Sequence, residues 1–536
     1  MISDAELDVF ATRTAEALLN ERCAAGHWEG ELSSSELSTA TAICALILNG
    51  EDDSALIATG FRWLRENQND DGGWGDTVRS FSNVSTTTLC RAVFCLAAND
   101  TTDAGCIERA EAWLQNYVGS DDKAALCETI YARYGKDRTF AVPILTMCAL
   151  TGYLGKDAWQ RIVPLPFEAA AIPHGCYRFV NMQVVSYALP ALIAIGLVNF
   201  VKRPPKPLAR LVRAKARPRV LRKLESIQPA SGGFLEATPL TSFVAMSLVG
   251  AGETESPVLA RCLAFLRREA RADGSWPIDT NLATWVTTLS VNALAAGGQT
   301  YLEDEARTSI LDWLLKQQYA EVHPYTNSPP GAWAWTDLTG GVPDGDDTPG
   351  APLALRHLEV SDATRRSASR GVSWLIQLQN GNGGFPTFCR GWGRLPFDQS
   401  CSDLTIHVLR SFAVWKEDLS PRKASFVARS ERFALQYLDR VQRPDGSWLP
   451  RWFGNQHVDG DENPIYGTAK VVVGLADLGL DDEDALKRGA GFLLRAQNDD
   501  GGWGGGDGTP SSIEETALVV EALAAISAPA RSRPTR

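Results

Sequence analysis

Three aspartates crowd into the stretch GGVPDGDDTPGAPLAL at Gly340–Leu355. Asp344, Asp346 and Asp347 stand at the head of an apolar run with helical spacing. Three chemistries fit such a cluster. Carboxylates are favoured at a helix N-terminus, where unpaired N–H groups and the helix dipole present positive charge. A hard divalent cation would also use these oxygens, but the chain offers no matching second acidic cluster and no Asp-Asp-x-x-Asp. In the third reading the carboxyls share one apolar hollow. They cannot all ionise there, so one stays protonated near neutrality and acts as a strong general acid.

The flanks favour the third reading. Upstream, PPGAWAWTDL supplies Trp333 and Trp335. Downstream, CRGWGRLPFDQSCSDLTIHVL supplies Trp392, Asp403 and His407. Asp403 and His407 stand at i and i+4, on one helix face. A protonated His407 would hold the proton of the acidic cluster in place. The other reading of His407 is a histidine packed in the core of an apolar helix.

A repeated device must position these residues. QNDDGGWG occurs at Gln68–Gly75 and again at Gln497–Gly504. Related turns lead from Gln442 to Trp448, Gln379 to Phe385, Gln228 to Phe234, Arg22 to Trp28 and Ala270 to Trp276. An amphipathic run such as AGFLLRAQ precedes the turn, and a second apolar run such as IEETALVVEALAA follows it. Asp-Gly ends the first helix, because glycine tolerates the left-handed backbone of a helix C-terminus. The ring then packs across the turn, and the Gln amide reaches backbone groups at helix ends. Each unit is a helix pair of about 50 residues, and such pairs stack into a solenoid or close into a ring. Alternating strand patterns are almost absent. The expectation is an all-α chain of two rings of paired helices.

Composition bounds the partners. The chain has 536 residues and a net charge of −12, which argues against a general nucleic-acid binder. Its 16 tryptophans suit a repeated structural ring or an aromatic-lined cavity. The 11 cysteines include no Cys-x-x-Cys pair, so no metal centre is expected and the thiols are expected to be reduced and cytosolic. The acidic start MISDAELDVF does not have the pattern of a secretion signal. VVSYALPALIAIGLVNFV at Val184–Val201 is long enough to span a bilayer, and the alternative is a buried helix. The basic run KRPPKPLARLVRAKARPRVLRK at Lys202–Lys223 follows it. Together they could rest on an anionic membrane surface, or the basic run could be a solvated helix face.

These motifs resemble the class II terpene cyclases, and most of all the squalene–hopene cyclases. VPDGDDT resembles the family's Asp-x-Asp-Asp-Thr acid motif, and SDLTIHVL its Asp-x-Thr-x-His helix. DGSWLPRWFGN…NPIYGT, WQRIVPLPFE and the QW-type Gln…Trp repeats are similar to further family elements. The resemblance implies two α/α barrels: residues 21–290 and residues 291–536, with an N-terminal segment 1–20 packing on the second barrel. It implies Asp346 as general acid, Asp344 and Asp347 as its tuning partners, and His407 as its hydrogen-bond partner. It implies an aromatic lining that includes Trp335, Phe388, Trp452 and Tyr466, and the substrate-binding set is completed by Trp333, Trp285 and Asp403.

The reaction implied is protonation-initiated cyclisation of a linear isoprenoid, squalene-like, with no cofactor and no metal. One alternative is a bacterial class II cyclase that converts a prenyl diphosphate to a bicyclic diphosphate and uses magnesium. Another is a non-catalytic isoprenoid-binding protein on the same scaffold. The expected partners are the isoprenoid, the inner face of the cell membrane touched from the cytoplasm, and a second copy in a homodimer. Three departures from the family pattern stand out. Pro349 follows the motif threonine, residues are inserted between Trp452 and Tyr466, and the chain stops soon after its last repeat.

Overall fold

The protein is described by a computed structural model at residues 3–97, 103–135, 138–173, 176–177, 188–296, 301–388, 396–480 and 483–527. Among the described residues it is all-α apart from a short antiparallel pairing of Ser34–Ser35 (β1) with Trp276–Pro277 (β2) and three isolated bridges. The helices form two α/α barrels. By contacts the chain divides into two compact units. One is Met1–Gly30 with Leu282–Asp337 and Val342–Arg536; the other is Glu31–Asn281 with Leu338–Gly341.

One helix precedes both sets: α1 (Asp4–Asn20), started by a Ser3–Glu6 capping box. The second unit is built from α2 (Glu36–Asn49), α3 (Ser54–Glu66), α4 (Val84–Val93), α5 (Ala104–Val118), α6 (Lys123–Tyr134), α7 (Ala141–Leu150), α8 (Ala158–Arg161), α9 (Leu189–Lys202), α10 (Pro207–Ile227), α11 (Thr238–Gly250) and α12 (Pro257–Arg268). Helices α2, α4, α7, α9 and α11 are mostly buried, on apolar residues and small Ser and Thr side chains. They pack in sequence, and α11 returns to α2, closing a ring. Helices α3, α5 and α12 are amphipathic and bury one face each, as outer helices should.

The first unit adds α13 (Ala283–Ala295), α14 (Asp304–Lys316), α15 (Asp347–Leu358), α16 (Asp362–Leu378), α17 (Ser402–Trp415), α18 (Pro421–Val441), α19 (Pro464–Asp477), α20 (Asp484–Arg495) and α21 (Ile513–Ser527). Here α13, α15, α17, α19 and α21 pack one on the next as the inner series.

The repeated turn works as a clamp. At Trp448 the indole N–H donates to the Leu438 carbonyl (2.8 Å), and the backbone N–H donates to Thr468 Oγ1 of the following inner helix (2.9 Å). The Gln442 amide donates to the Gly446 carbonyl (2.9 Å) and to the Ala485 carbonyl in the first turn of the next outer helix (2.8 Å). The same bond from the backbone N–H of the aromatic residue to a threonine Oγ1 recurs at Trp74–Thr87, Phe234–Thr241, Phe385–Thr405 and Trp503–Thr516. Gly446 has φ +97°, and a Cβ there would sit 2.5 Å from the Arg488 carbonyl oxygen, so only glycine lets the turn reach its neighbour.

Two clamps close over long sequence distances and set the boundaries. Trp276 bonds to Thr39 in α2 (3.0 Å). Trp28 bonds to Thr287 in α13 (3.1 Å), while its indole N–H holds the Leu18 carbonyl at the end of α1 (2.7 Å). Residues 21–30 and 282–290 therefore belong with α1 and α13. The division falls at 30/31 and 281/282, not at 20/21 and 290/291 as the sequence suggested. Ala15 and Trp28 join the same core cluster as Val291, Ile310 and Trp333.

Of the apolar stretch at 184–201, residues 184–187 lie outside the described residues, and the rest is the buried helix α9. No helix among the described residues is long and apolar enough to cross a membrane. The described cysteines are all free thiols.

Candidate active site

The clamp threonine fixes the register of each inner helix. Residues two before and two after it lie about 160° round the helix in either direction, on the face away from the clamp. Thr348 takes this role for Trp333 (3.1 Å), so Asp346 is its minus-two residue. Around Thr405 of α17 the pair is Asp403 and His407; around Thr468 of α19 it is Tyr466 and Lys470. Before Thr287 stands Trp285, and before Thr516 stands Glu514. One repeated bond thus turns an acid, a second acid, a histidine, a tyrosine and a lysine toward the same side of the inner series. The electrostatic couplings agree, since Asp346 feels Asp403 and Lys470, and Tyr466 feels Asp403 and Asp346.

The acid loop is rigidly tied. Asp344 Oδ1 accepts from the backbone N–H groups of Asp346 (2.9 Å) and Asp347 (2.7 Å). Asp344 N–H donates to the Trp333 carbonyl (3.1 Å), and Gly345 N–H donates to the Thr387 carbonyl. Pro349 falls in the first turn of α15, where its missing N–H would have had no helical partner.

The three carboxyls divide their roles. Burial, then the charges of Asp344 and Asp346, drives Asp347 well above the usual carboxylate range. Asp344 is pushed up to about 8, first by burial. Asp344 Oδ2 and Asp347 Oδ1 are both buried without a donor, which fits one proton held between these two side chains. Asp346 is pushed up to about 6 by burial and then by Asp403, against the opposing charge of Lys470. Asp346 keeps some accessible area, unlike the buried Asp344 and Asp347, although protein is dense around it.

His407 is not the protonated partner that the sequence suggested. Burial, then Arg410 and Lys470, holds its pKa well below the ordinary value, opposed only weakly by the backbone carbonyl of Asp346. Asp403 is buried too. Its Oδ1 accepts from the Cys401 thiol (2.6 Å), and its action on Asp346 is electrostatic.

The aromatic residues form two series. Trp335 meets Phe388 edge-on (6.0 Å between ring centroids), Phe388 meets Phe397 (5.2 Å), and Phe397 stacks on Trp452 (4.6 Å). Trp452 anchors itself by donating to Thr387 Oγ1 (2.7 Å). In the other series Trp285 meets Phe453 (6.4 Å), which stacks on Tyr466 (4.5 Å). The two are linked at the Trp335 carbonyl, which accepts the N–H of Trp285 (3.1 Å). Phe397, Phe453 and Lys470 were not singled out from sequence. Trp333, expected in the substrate-binding set, is instead a fully buried clamp ring whose N–H is committed to the Leu314 carbonyl (2.9 Å). Trp392 lies outside the described residues.

Family models decide the ancestry. The squalene–hopene cyclase N-terminal domain matches residues 11–213, and the squalene–hopene cyclase C-terminal domain matches residues 282–530. The chain belongs to the squalene–hopene cyclase family. Among curated relatives, the enfumafungin synthase of Hormonema carpetanum is 29% identical over 43% of this chain and 19% of its own length. The probable squalene–hopene cyclase of Sinorhizobium fredii is 24% identical over 98% of this chain and 88% of its own. The chain thus spans about a fifth of the first relative and most of the second. Among solved structures, the ent-copalyl diphosphate synthase of Streptomyces platensis has the same fold, with a TM-score of 0.60 at 20% identity over 97% of this chain and 89% of that one. Within the family frame, the acid loop, the α17 pair and the aromatic series all lie in the part matched as the C-terminal domain.

Proposed function

We propose that the chain is a class II terpene cyclase that starts the cyclisation of a neutral, linear, squalene-like isoprenoid by protonating an alkene. The reading rests on one observation above all. Asp346, at about 6, stands in register with Asp403, His407 and Tyr466 on inner helix faces and couples electrostatically to Asp403 and Tyr466. Asp346 gives its proton to one alkene carbon; the π pair forms the new C–H bond and leaves a tertiary cation on the neighbouring carbon. The next alkene of the chain attacks that cation, and each ring closure passes the charge onward. Asp346 is left as a carboxylate, and the positive charge of Lys470 favours that form. Asp347 keeps its proton on Asp344, and the Asp344 clamp holds the loop while the neutral His407 fixes the Asp346 backbone.

The two aromatic series suit the cations that follow. A ring face attracts positive charge without supplying a nucleophile, by roughly 1–2 kcal/mol when desolvated. Exclusion of water prevents early capture. Helix α10 supports contact with a membrane surface, from which so apolar a substrate would be drawn. It exposes Leu208, Leu211 and Val212 among Lys206, Arg210 and Lys215.

The test is incubation of the purified chain with squalene and with geranylgeranyl diphosphate, each with and without magnesium. The expected result is cyclised product from squalene, indifferent to chelation and absent with Asp346→Asn. Turnover of the diphosphate alone would keep the acid and replace the substrate. Isoprenoid binding without turnover of either would leave a binding protein on a cyclase scaffold.

A further inference from the structure

The turn that carries Trp28 lacks the amide clamp of its neighbours. In the same unit, Gln318, Gln379 and Gln442 each donate to a carbonyl of the next outer helix, at Ser367, Ser430 and Ala485. The corresponding position before Trp28 is Arg22, whose side chain turns back to its own helix end at the Leu19 carbonyl (3.3 Å). The turn still lies against the next outer helix, since a Cβ at Gly26 would stand 3.1 Å from Ser309 Oγ of α14. A different set of side chains converges here. One ligand atom each of Cys23, His27 and Glu29 lies within 4.8 Å of the others.

His27 shows that the set is unfinished. The ring is buried, 4% exposed, and stacks on Trp313 of α14 (4.1 Å between centroids, 15° between planes). Neither of its ring nitrogens has a hydrogen-bond partner. A buried imidazole with two unpaired nitrogens is costly, and native proteins rarely leave one so. Asp337 Oδ2 lies 3.8 Å from Nε2.

We propose that Cys23, His27 and Glu29 bind a divalent transition metal of the zinc type. A thiolate, an imidazole and a carboxylate make a donor set that suits zinc or cobalt and not magnesium or calcium. Asp337, 3.8 Å from Nε2, is the nearest carboxylate to that nitrogen and would draw in to accept its N–H on binding, leaving Nδ1 for the metal, as ligating histidines commonly bond a carboxylate through their second nitrogen. Binding displaces the Cys23 thiol proton to solvent, with no change of oxidation state. The backbone already brings the ligands round, with Cys23 N–H donating to the His27 carbonyl (2.8 Å) and Gly26 N–H to the Cys23 carbonyl (2.9 Å). The metal would join this turn to α14 through the stacked His27, where the other turns use glutamine. The site shares no residue with the acid loop, and the proposal is independent of the cyclase reading.

The test uses the purified full chain, stripped with a chelator, desalted and titrated with cobalt(II) alone. One equivalent is expected to bind, with the near-ultraviolet charge-transfer band of a thiolate on cobalt. Zinc should displace it and raise the melting temperature. Cys23→Ser should remove the band and the thermal shift, and Asp337→Asn should weaken binding about 10–100-fold. Cys95→Ser with Cys176→Ser, which removes exposed thiols elsewhere, should change neither. Uptake below one equivalent, a band that survives Cys23→Ser, or a band lost only with Cys95 and Cys176 would each overturn the proposal.

Discussion

The imidazole of His407 feels the backbone carbonyl of Asp346, which opposes the burial that keeps the ring neutral, and not the Asp346 carboxyl. The histidine therefore fixes where the acid stands and leaves its titration to other groups. His407→Ala should lower kcat by roughly 10²-fold, the scale of a displaced catalytic group, without moving the midpoint of the pH–rate profile. A shift of that midpoint on removing the imidazole would show that His407 ionises with the acid, and this positioning role would be wrong.

The acid itself should set the pH dependence. Only the protonated form of Asp346 can give a proton, and the group titrates at about 6. The kcat/KM value should be flat below that pH and fall tenfold per unit above it. Asp403 raises this pKa and Lys470 lowers it. Asp403→Asn should therefore move the midpoint to lower pH, and Lys470→Met should move it higher. Profiles that move together, or not at all, would detach these two residues from the acid.

Trp333 and Trp335 are neighbours with opposite expected behaviour. Trp333 is a buried clamp, so Trp333→Ala should destabilise the protein by about 3–5 kcal/mol. Trp335 meets Phe388 at the edge of the aromatic series, so Trp335→Ala should leave the melting temperature nearly unchanged and release partly cyclised products. Loss of about 1–2 kcal/mol of cation stabilisation corresponds to roughly tenfold less complete product. Product analysis by mass spectrometry beside a melting curve separates the two. An unchanged product profile for Trp335→Ala would remove it from the lining.

Trp333 also shows what the sequence conceals. The clamp turns were legible because Gly, Trp and the apolar helices on either side are local neighbours, with local reasons to sit together. At Trp333 the glutamine is Gln318, set apart from the ring by the long loop AEVHPYTNSPP, and the spacing rule passes over it. Lys470 left a signal that could have been used, a lone charge inside the apolar run PIYGTAKVVVGLA. The threonine register was also present in the sequence, but it acquires meaning only once the bond from the backbone N–H to the threonine is seen. The neutral state of His407 was not legible at all. Lys470, which helps to fix it, arrives from a helix far along the chain. Phe397 and Phe453 likewise look like ordinary loop aromatics until stacking joins them to Trp452 and Tyr466.

Glu36 offers a test of the second unit that needs no substrate. It opens α2 and is 1% exposed, with Oε2 lacking any partner. Burial, with a smaller contribution from Asp76, pushes it up to about 8 from an ordinary value of 4.5. An acid raised in this way holds its proton more tightly folded than unfolded. Its contribution to stability is therefore intact below pH 4.5 and is lost as the pH rises toward about 8. Glutamine cannot ionise, so Glu36→Gln should equal the parent near pH 4.5 and exceed it at pH 8, by roughly 1–3 kcal/mol once the cost of a buried, imperfectly paired group is counted. Urea unfolding of both proteins across that range reads the difference directly. Parallel pH profiles would mean that the buried carboxyl finds a partner for its charged form.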